Sequence, residues 1–353
     1  MKLPLHTLLL MCWLSPMLCT AQVIGGDNTY EFLNLPSSAR ITALGGHLIS
    51  VQDDDVNLAY HNPAVLNASM HQQISFNHSF LAGGVHHGYV AYGHHQESWK
   101  TSLHASLQYV SYGTFDATDE FGTINGEFKA SEYAFNIGGS YQLYDRVTLG
   151  TNVRLITSQL ESFNSLGLAA DFGLLYRDSS GRFSAGLVIR NAGGQLTTYT
   201  PEQEREPLPF DIQIGISQRL KHLPFRFSVT YHNLQRWNIR YDDPNTEETT
   251  FIIGDGDQGE SDFQVNVDNF FRHFVFSGEF LFGKLENFRL RFAYNHLRNQ
   301  ELSVDNFRSL TGFSMGLGFK IKRFRIDYGR SFYHLAGGAN HLAISTNIQQ
   351  FKK

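Results

Sequence analysis

The stretch SEYAFNIGGSYQL, residues 131–143, decides the class of fold. Apolar side chains recur there with a period of two, at Tyr133, Phe135, Ile137, Tyr141 and Leu143. The intervening positions carry Glu132, Asn136, Ser140 and Gln142. Because successive side chains of a β-strand point to opposite faces, the stretch predicts a strand with one apolar and one polar face. It is longer than the roughly 5–6 residues usual in soluble strands.

The same alternation recurs along the chain from about residue 72. Fourteen segments carry it: 72–80, 84–94, 101–111, 131–143, 147–160, 165–177, 183–192, 210–219, 225–236, 272–282, 288–298, 310–320, 324–334 and 340–349. Many approach the roughly 9–11 residues of a tilted membrane strand. The sequence therefore predicts an all-β fold, a fourteen-stranded antiparallel transmembrane β-barrel whose strands begin and end on the periplasmic side.

The connections between these segments alternate in length. Short links lie at 144–146, 178–181, 221–224, 283–287 and 322–323, and long links lie at 112–130, 193–209, 237–271 and 299–309. Outer-membrane barrels have short periplasmic turns, longer outer loops and aromatic girdles at both interfaces. Girdle candidates are Tyr109, Tyr112, Tyr176, Tyr231, Trp237 and Tyr333. A soluble sandwich or propeller also alternates, but strand length, loop lengths and girdles together favour the barrel.

Composition agrees with an exported membrane protein. The chain has 353 residues, a net charge of −5, 17% charged and 14% aromatic residues, so it lacks the basic excess of a nucleic-acid-binding protein. Residues 1–21 are typical of a signal peptide, with Lys2 before an apolar run and Ala21 before the expected cleavage site. Both cysteines, Cys12 and Cys19, lie inside that segment. No apolar run of about 18 residues predicts a membrane helix elsewhere.

Residues 22–70 differ from the barrel, 71–353, because alternation is poor and turn residues are dense. This segment is predicted to be a plug or periplasmic segment. Its distinctive residues are Ser38, Ala39, Arg40, Gly45, Gly46, Asp53, Asp54, Asp55, Asn62, Pro63 and Ala64. Proline excludes its predecessor from helical backbone angles, so Asn62-Pro63 is expected to mark the corner between plug and wall.

The three consecutive aspartates, Asp53 to Asp55, allow three interpretations. They form a solvated or helix-capping acidic run, they bind Ca²⁺, or one pairs with Arg40 or with an arginine of the lumen and pins the plug. The lumen candidates are Arg154, Arg190, Arg219, Arg226, Arg289, Arg291 and Arg325. The stretch lacks the glycine and glutamate spacing of an EF-hand loop.

No catalytic, cofactor or metal site is predicted. Residues 312–316 (GFSMG) fit G-x-S-x-G, but the motif lies within a strand, whereas a nucleophile elbow needs a strand-to-helix turn. The histidine pairs 86–87 and 94–95 divide across the two faces of a strand and lack ligand spacing. The chain is therefore expected not to be an enzyme.

The loop after the ninth strand is strongly acidic. It carries Asp242, Asp243, Glu247, Glu248, Asp255 and Asp257, and it is predicted to face outward. It is either a solvated loop or a docking surface for a protein partner or divalent ions. The following stretch VDNFFRHF, residues 267–274, has helical spacing of aromatics and is expected to rest on the barrel rim or on a partner.

The plug segment also resembles a known family. TYEFLNLPSSARITALGG (29–46) and DDDVNLAYHNPAVL (53–66), followed by barrel strands, resemble the PorV/PorQ group of FadL-like outer-membrane barrels, and the lead-in at 29–33 favours PorQ. The resemblance implies a fourteen-stranded barrel with an N-terminal plug in a Gram-negative outer membrane. It also implies a type IX secretion component that anchors a PorZ-like surface protein beside PorU- and PorV-like subunits.

A second function follows from the wider family. FadL-like members pass hydrophobic compounds across the outer membrane, so transport of hydrophobic small molecules is the alternative. That function needs an apolar pocket in the upper lumen and a gap in the wall. The lumen faces of the predicted strands consist of Gly, Ser, Asn, Gln and Arg, which favours the secretion component.

Overall fold

A computed structural model describes residues 28–240, 262–283, 285–302, 309–334 and 337–351. They form a closed antiparallel barrel of fourteen strands, each paired with its neighbours in the chain and β1 paired with β14. The strands are β1 Gln73–Phe80, β2 His86–Gln96, β3 Thr101–Thr118, β4 Ile124–Tyr144, β5 Val147–Leu160, β6 Phe163–Arg177, β7 Phe183–Thr197, β8 Asp211–Arg219, β9 Phe225–Tyr231, β10 Phe274–Phe282, β11 Phe288–Asn295, β12 Phe313–Ile321, β13 Phe324–His334 and β14 Gly337–Asn347. The predicted fold class and strand count are confirmed.

The barrel is apolar outside and polar inside. On β4, Phe135 and Ile137 are 51% and 69% exposed, whereas Asn136 between them is buried. The predicted faces are therefore correct, and the exposed aromatics identify the outside as the lipid-facing surface. The N-terminus of β1, the C-terminus of β14 and short turns lie at the end taken as periplasmic, and the three long connections, after β7, β9 and β11, lie at the outer end. Within the described ranges, no helix has the length and apolarity needed to cross a membrane.

The prediction of a long loop at residues 112–130 is wrong. Residues 112–130 belong mostly to a long hairpin, because β3 continues to Thr118 and β4 begins at Ile124. A β-bulge between Ser111 and Gly113, with Gly113 at φ 93°, shifts the register and interrupts the alternation that the sequence analysis followed. Beyond the bulge the pairing resumes, and the rings of Phe115 and Phe128 stack across the strands at 5.3 Å.

The segment before β1, residues 28–70, fills the lumen and is called the plug below. It contains α1, Ala39–Ala43, and single 3₁₀ turns at Glu31–Asn34, Val56–Tyr60, Pro63–Val65 and Ala68–Met70. The backbone N–H of Thr29 donates to the carbonyl of Pro207 at the outer end, and that of Gln72 donates to Gly93 at the periplasmic end. The plug therefore runs down the length of the lumen before the chain enters the wall.

Two short helices lie at the outer end of the barrel: α2, Asp262–Arg272, and α3, His296–Leu302. They stand beside β10 and β11, on the side where the strands are shortest. The opposite side carries the tall β3–β4 hairpin. The outer rim is therefore uneven.

Glycines of the wall make room for the plug. A Cβ atom placed on any of them would collide with the plug, and they are Gly93, Gly150, Gly173, Gly186, Gly316 and Gly329. Gly150 is the clearest case, because its Cβ would overlap the backbone of Pro63 and Ala64. The predicted corner at Asn62-Pro63-Ala64 thus lies against the inner wall rather than at the start of the first strand.

The close approach at Gly150 predicts a local cost for any side chain. Gly150→Ala should lower the free energy of unfolding by about 1–3 kcal/mol, the usual effect of overpacking. Gly194→Ala is the matched control, because a Cβ at Gly194 meets no atom within 4 Å, and it should stay within about 0.5 kcal/mol of the parent. Urea unfolding in detergent micelles measures both. Equal stabilities for the two variants would contradict the close contact.

Candidate functional site

The central residue of the plug is Arg40, whose side chain is 1% exposed. Arg40 lies in helix α1, and each end of this helix has a capping interaction. The hydroxyl of Ser38 accepts from the Ile41 N–H at 3.3 Å at the start of the helix. Gly45 and Gly46, at φ 83° and 92°, end it, and the Gly46 N–H donates to the Ile41 carbonyl at 2.9 Å. Ala39 packs its backbone against Gly329 of the wall.

The Arg40 guanidinium contacts three carboxylates. It lies 2.8 Å from Asp53 and 3.1 Å from Asp55, both in the plug, and 3.1 Å from Glu279 of β10. Glu279 also accepts from Arg226 and from Arg291, the latter at 2.9 Å. Arg40 is therefore one of the residues through which the plug is ionically bound to the wall.

The contacts spread into a larger cluster, which we call the latch. It comprises Arg40, Asp53, Asp54, Asp55, Arg226, Glu279, Arg289, Arg291, Arg325 and Asp327. Its five arginines and five carboxylates balance in formal charge. Balance matters because an unpaired buried charge is strongly destabilising. Four of the seven lumen arginines proposed from the sequence, namely Arg226, Arg289, Arg291 and Arg325, belong to the latch.

The three aspartates have separate roles. Asp53 is shared between Arg40 and Arg226, at 2.8 and 3.3 Å. Both oxygens of Asp54 accept from Arg325, at 2.8 and 2.9 Å. Asp55 pairs with Arg40 and also caps the 3₁₀ turn at Val56–Tyr60 by accepting from the Asn57 N–H at 3.1 Å. Ion pairing and capping are therefore both present in one acidic run.

The latch favours ionised carboxylates in the plug. Burial raises the pKa of the Asp53 carboxyl, but the neighbouring Arg40 and Arg226 lower it by more, and it ends far below its ordinary value of 3.8. The pKa of Asp54 is likewise raised by burial and lowered by more through Arg325. Both groups therefore contribute stability in their ionised form.

Asn62, Pro63 and Ala64 form a second fixed point. The Asn62 side chain accepts from the Ala64 N–H at 3.0 Å and donates to the Ile49 carbonyl at 2.7 Å. Pro63 begins the 3₁₀ turn, a position that suits its fixed φ. The side chain of Asn62 thus joins two segments of the plug and turns the chain along the wall.

Other polar contacts of the plug were missed by the sequence analysis. Arg154 of β5 pairs with Asp171 of β6 at 2.5 Å, and its guanidinium lies 4.1 Å from the ring centre of Tyr60. The Tyr60 hydroxyl also bonds to Gln108 of β3. Asp171 and Gln108 lie on the polar faces of their strands, so alternation alone predicts their direction but not their partner.

Part of the upper lumen is apolar, which the polar faces of the predicted strands did not indicate. Plug residues Tyr30, Phe32 and Leu33 pack there in a compartment that we call the upper-lumen pocket. The wall strands supply Val110, Ala134, Ile156 and Ala169, and the connection between β7 and β8 supplies Leu208. Small and apolar residues interrupt the polar faces of neighbouring strands at one height, which becomes visible only when the strands are placed in register.

An apolar groove of about 580 Å³ lies on the lipid-facing side of the wall. Its lining includes Leu103, Ile137, Gly139, Tyr141, Leu149 and Phe172. Gly150, which also borders the groove, faces Pro63 and Ala64 of the plug on the inner side. The plug corner and the groove are therefore separated by little more than backbone.

Ser314 of the 312–316 motif has no nucleophile geometry. It lies within β12, is buried and donates to the hydroxyl of Ser331 at 2.9 Å. The neighbouring Gly316 faces Ala43 of the plug. In the part of the chain that the structure describes, no group of three or more His, Cys, Asp or Glu side chains is placed to hold a metal ion.

The predicted docking residues Asp242, Asp243, Glu247, Glu248, Asp255 and Asp257 lie outside the described residues. The acidic loop as a partner or calcium surface therefore stays a prediction. The aromatic stretch after it forms the second half of α2 and the start of β10.

No family model matches the chain, and no curated protein matches its sequence. In structure it is similar to the toluene transporter TbuX of Ralstonia pickettii, with a TM-score of 0.52 and 10% identity over 89% of this chain and 99% of the transporter. The monoaromatic hydrocarbon channel CymD gives 0.51 and 12% over 88% and 96%. A FadL homologue of Pseudomonas aeruginosa gives 0.50 and 10% over 88% and 98%.

At these identities the likeness shows the fold. The chain is a FadL-like, fourteen-stranded barrel of the outer membrane of a Gram-negative bacterium. The narrower resemblance to PorQ stays a prediction.

Breaking the latch at its centre should be costly. Arg40→Leu leaves Asp53, Asp55 and Glu279 with fewer cations in a buried site, so the free energy of unfolding should fall by about 3–5 kcal/mol. Arg219→Leu is the control, because Arg219 is 43% exposed in its pair with Glu286 and such pairs contribute about 0–1 kcal/mol. Urea unfolding compares them. A loss below 1 kcal/mol for Arg40→Leu would show that the latch does not hold the fold.

The lowered pKa values of Asp53 and Asp54 predict a loss of stability in acid. Their contribution is complete above the unfolded pKa of about 4 and falls as the pH drops below it, because the unfolded chain then binds more protons. Asp53→Asn should be less stable at neutral pH and should lose less between about pH 5 and about pH 2. The exposed substitution Asp145→Asn should keep the parental slope. Parallel profiles for Asp53→Asn and the parent would contradict this account.

Proposed function

We propose that this chain is an outer-membrane channel for small hydrophobic molecules. The observation that supports it most directly is the upper-lumen pocket, an apolar compartment inside an otherwise polar lumen. Ligand sites are mostly apolar cavities with few polar groups. Here Phe32 and Leu33 of the plug, 3% and 0% exposed, occupy that compartment. A hydrophobic ligand would replace these side chains at little cost in solvation.

The two halves of the plug are held by different kinds of contact, which fits the entry of a ligand from the outer end. The outer half, around Phe32 and Leu33, is held by apolar packing and by buried hydrogen bonds, which Gln108 donates to the Phe32 carbonyl and Tyr60 and Arg190 donate to the Leu33 carbonyl. The inner half is held by the latch. The outer half can therefore yield to a ligand while the base of the plug stays bound to the wall. The lipid-facing groove lies behind Gly150 on the outer side of β4 to β6, which stay paired there, so a sideways exit would require these strands to separate.

The similar structures support the same substrate class. TbuX is described as a toluene transporter and CymD as a monoaromatic hydrocarbon channel. Small aromatic hydrocarbons are accordingly the first substrates to test. We further propose that residues 1–21 are removed on export and that the mature chain is not an enzyme.

A second candidate function is the anchoring of a PorZ-like surface protein beside PorU- and PorV-like subunits in type IX attachment. The observation that favours it is the β3–β4 hairpin, which extends past the other strands. Its tip exposes Phe121 at 90% and Ile124 at 62%. Exposed apolar residues on a projecting element are typical of a protein-binding surface.

One experiment separates the two functions. The gene is deleted from its bacterium and restored as the parent, as Phe32→Ala or as Phe121→Ala, and both toluene uptake and surface retention of secreted proteins are measured. For a channel, deletion lowers uptake, the parent restores it and Phe32→Ala raises it above the parent because the pocket is partly vacated. Phe121→Ala should leave uptake unchanged.

The opposite pattern would support anchoring. In that case deletion and Phe121→Ala both reduce surface retention, and uptake does not respond to deletion or to Phe32→Ala. The heat-modifiable mobility of the folded barrel on gels confirms that each variant is assembled. Uptake that is the same with and without the gene would contradict the channel.

A further inference from the structure

Helix α2 is built with its apolar side facing away from the protein. Phe263, Val267, Phe270 and Phe271 are exposed, at 77%, 39%, 41% and 44%. Their spacing places them along one face of the helix. The buried positions are polar, namely Asn269 and Arg272. A surface helix in water normally has the opposite arrangement.

Polar contacts fix this orientation. The Asn269 side chain donates to the Trp237 carbonyl at 2.6 Å and accepts from the Ile239 N–H at 3.2 Å. Asp268 accepts from Arg272 at 2.7 Å and contacts His296 of α3 at 3.0 Å. Rotating the helix to bury its aromatics would break the bonds of Asn269 to Trp237 and Ile239 and the contact of Asp268 with His296, so the outward aromatic face is a property of the fold.

The exposed face continues the lipid-facing surface of the wall. The rings of Phe270 and Phe271 lie 5.0 and 6.3 Å from that of Phe274, and Phe274 lies 5.8 Å from Phe276. Phe276 is 40% exposed on the outer side of β10. A line of aromatic rings thus runs from the wall onto the helix without a polar interruption.

The strands beneath α2 are at or below the usual length of a membrane strand, roughly 9–11 residues. β9, β10 and β11 have 7, 9 and 8 residues. At about 3.3 Å per residue and a tilt of about 40°, they reach about 18–23 Å, whereas the apolar band of such barrels is about 25 Å tall. The missing height lies at the outer end, where α2 stands.

We propose that α2 lies in the outer leaflet of the membrane and completes the apolar band above the short strands. Its aromatic face contacts the acyl chains of outer-leaflet lipid, and its polar face binds the barrel rim. Both the outward aromatics and the short strands follow from this position. The proposal does not depend on what the barrel transports or binds.

Depth-dependent quenching tests it. The mature chain without residues 1–21 lacks Trp13. In it Trp99 and Trp237 are replaced by Phe, and one tryptophan is introduced as Phe263→Trp, Phe271→Trp, Phe276→Trp or Phe121→Trp. The purified barrels are reconstituted into phosphatidylcholine vesicles with brominated acyl chains, which quench tryptophans in contact with them. Phe276→Trp, in the wall, is the positive control, and Phe121→Trp, at the hairpin tip, is the negative control.

Both helix tryptophans should be quenched in brominated vesicles, as in Phe276→Trp, and should emit at shorter wavelength than Phe121→Trp. Quenching no greater than in Phe121→Trp would place the aromatic face in water or against a protein partner and would overturn the proposal. Quenching of Phe271→Trp alone would confine lipid contact to the last turn and would also overturn it. Heat-modifiable gel mobility confirms folding of every variant.

Discussion

The contact between Arg40 and Glu279 joins the two parts of this protein. Both side chains are shielded from bulk water, at 1% and 3% exposure. Neither charge is stable there alone, since removing a charge from water costs several kcal/mol. Arg40 belongs to the plug and Glu279 to the wall, so each part supplies the countercharge of the other. The remaining members of the latch extend this dependence around the periplasmic half of the lumen.

The plug is consequently divided by its chemistry. Its inner half is bound by ion pairs that must stay matched, and its outer half lies in an apolar pocket. Ionic contacts are specific in geometry, whereas apolar packing accepts other occupants of similar size. The plug is therefore held by ionic contacts near the periplasm and by apolar packing near the cell surface.

The outer rim of the barrel is uneven because its two sides are built differently. Every strand must present an apolar outer surface where it crosses the membrane. On one side, β3 and β4 are longer than the other strands and project beyond them, with Phe121 at the tip of the hairpin. On the other side, β9 to β11 are short, and the aromatic face of α2 adjoins them. The outer rim thus carries a tall hairpin on one side and a helix with an outward aromatic face on the other.

The sequence by itself determined the architecture. A period of two, repeated fourteen times with alternating loop lengths, predicts an antiparallel barrel and the faces of its strands, because strand geometry is local. It failed at Gly113, where a bulge changes the register, and it could not place the upper-lumen pocket. It also identified Arg40 and Asp53 to Asp55 as distinctive without choosing among pairing, capping and calcium.

Tertiary structure decided which charges meet. Arg40 and Glu279 are 239 residues apart in the chain, and ion pairing depends on distances of a few ångströms. Long-range contacts also decide which wall glycines lie against the plug. They set the orientation of α2 as well, because its polar face bonds to Trp237 and His296, which lie outside the helix. Local alternation determined the strands of the wall, and only long-range packing determined how the plug is bound inside it.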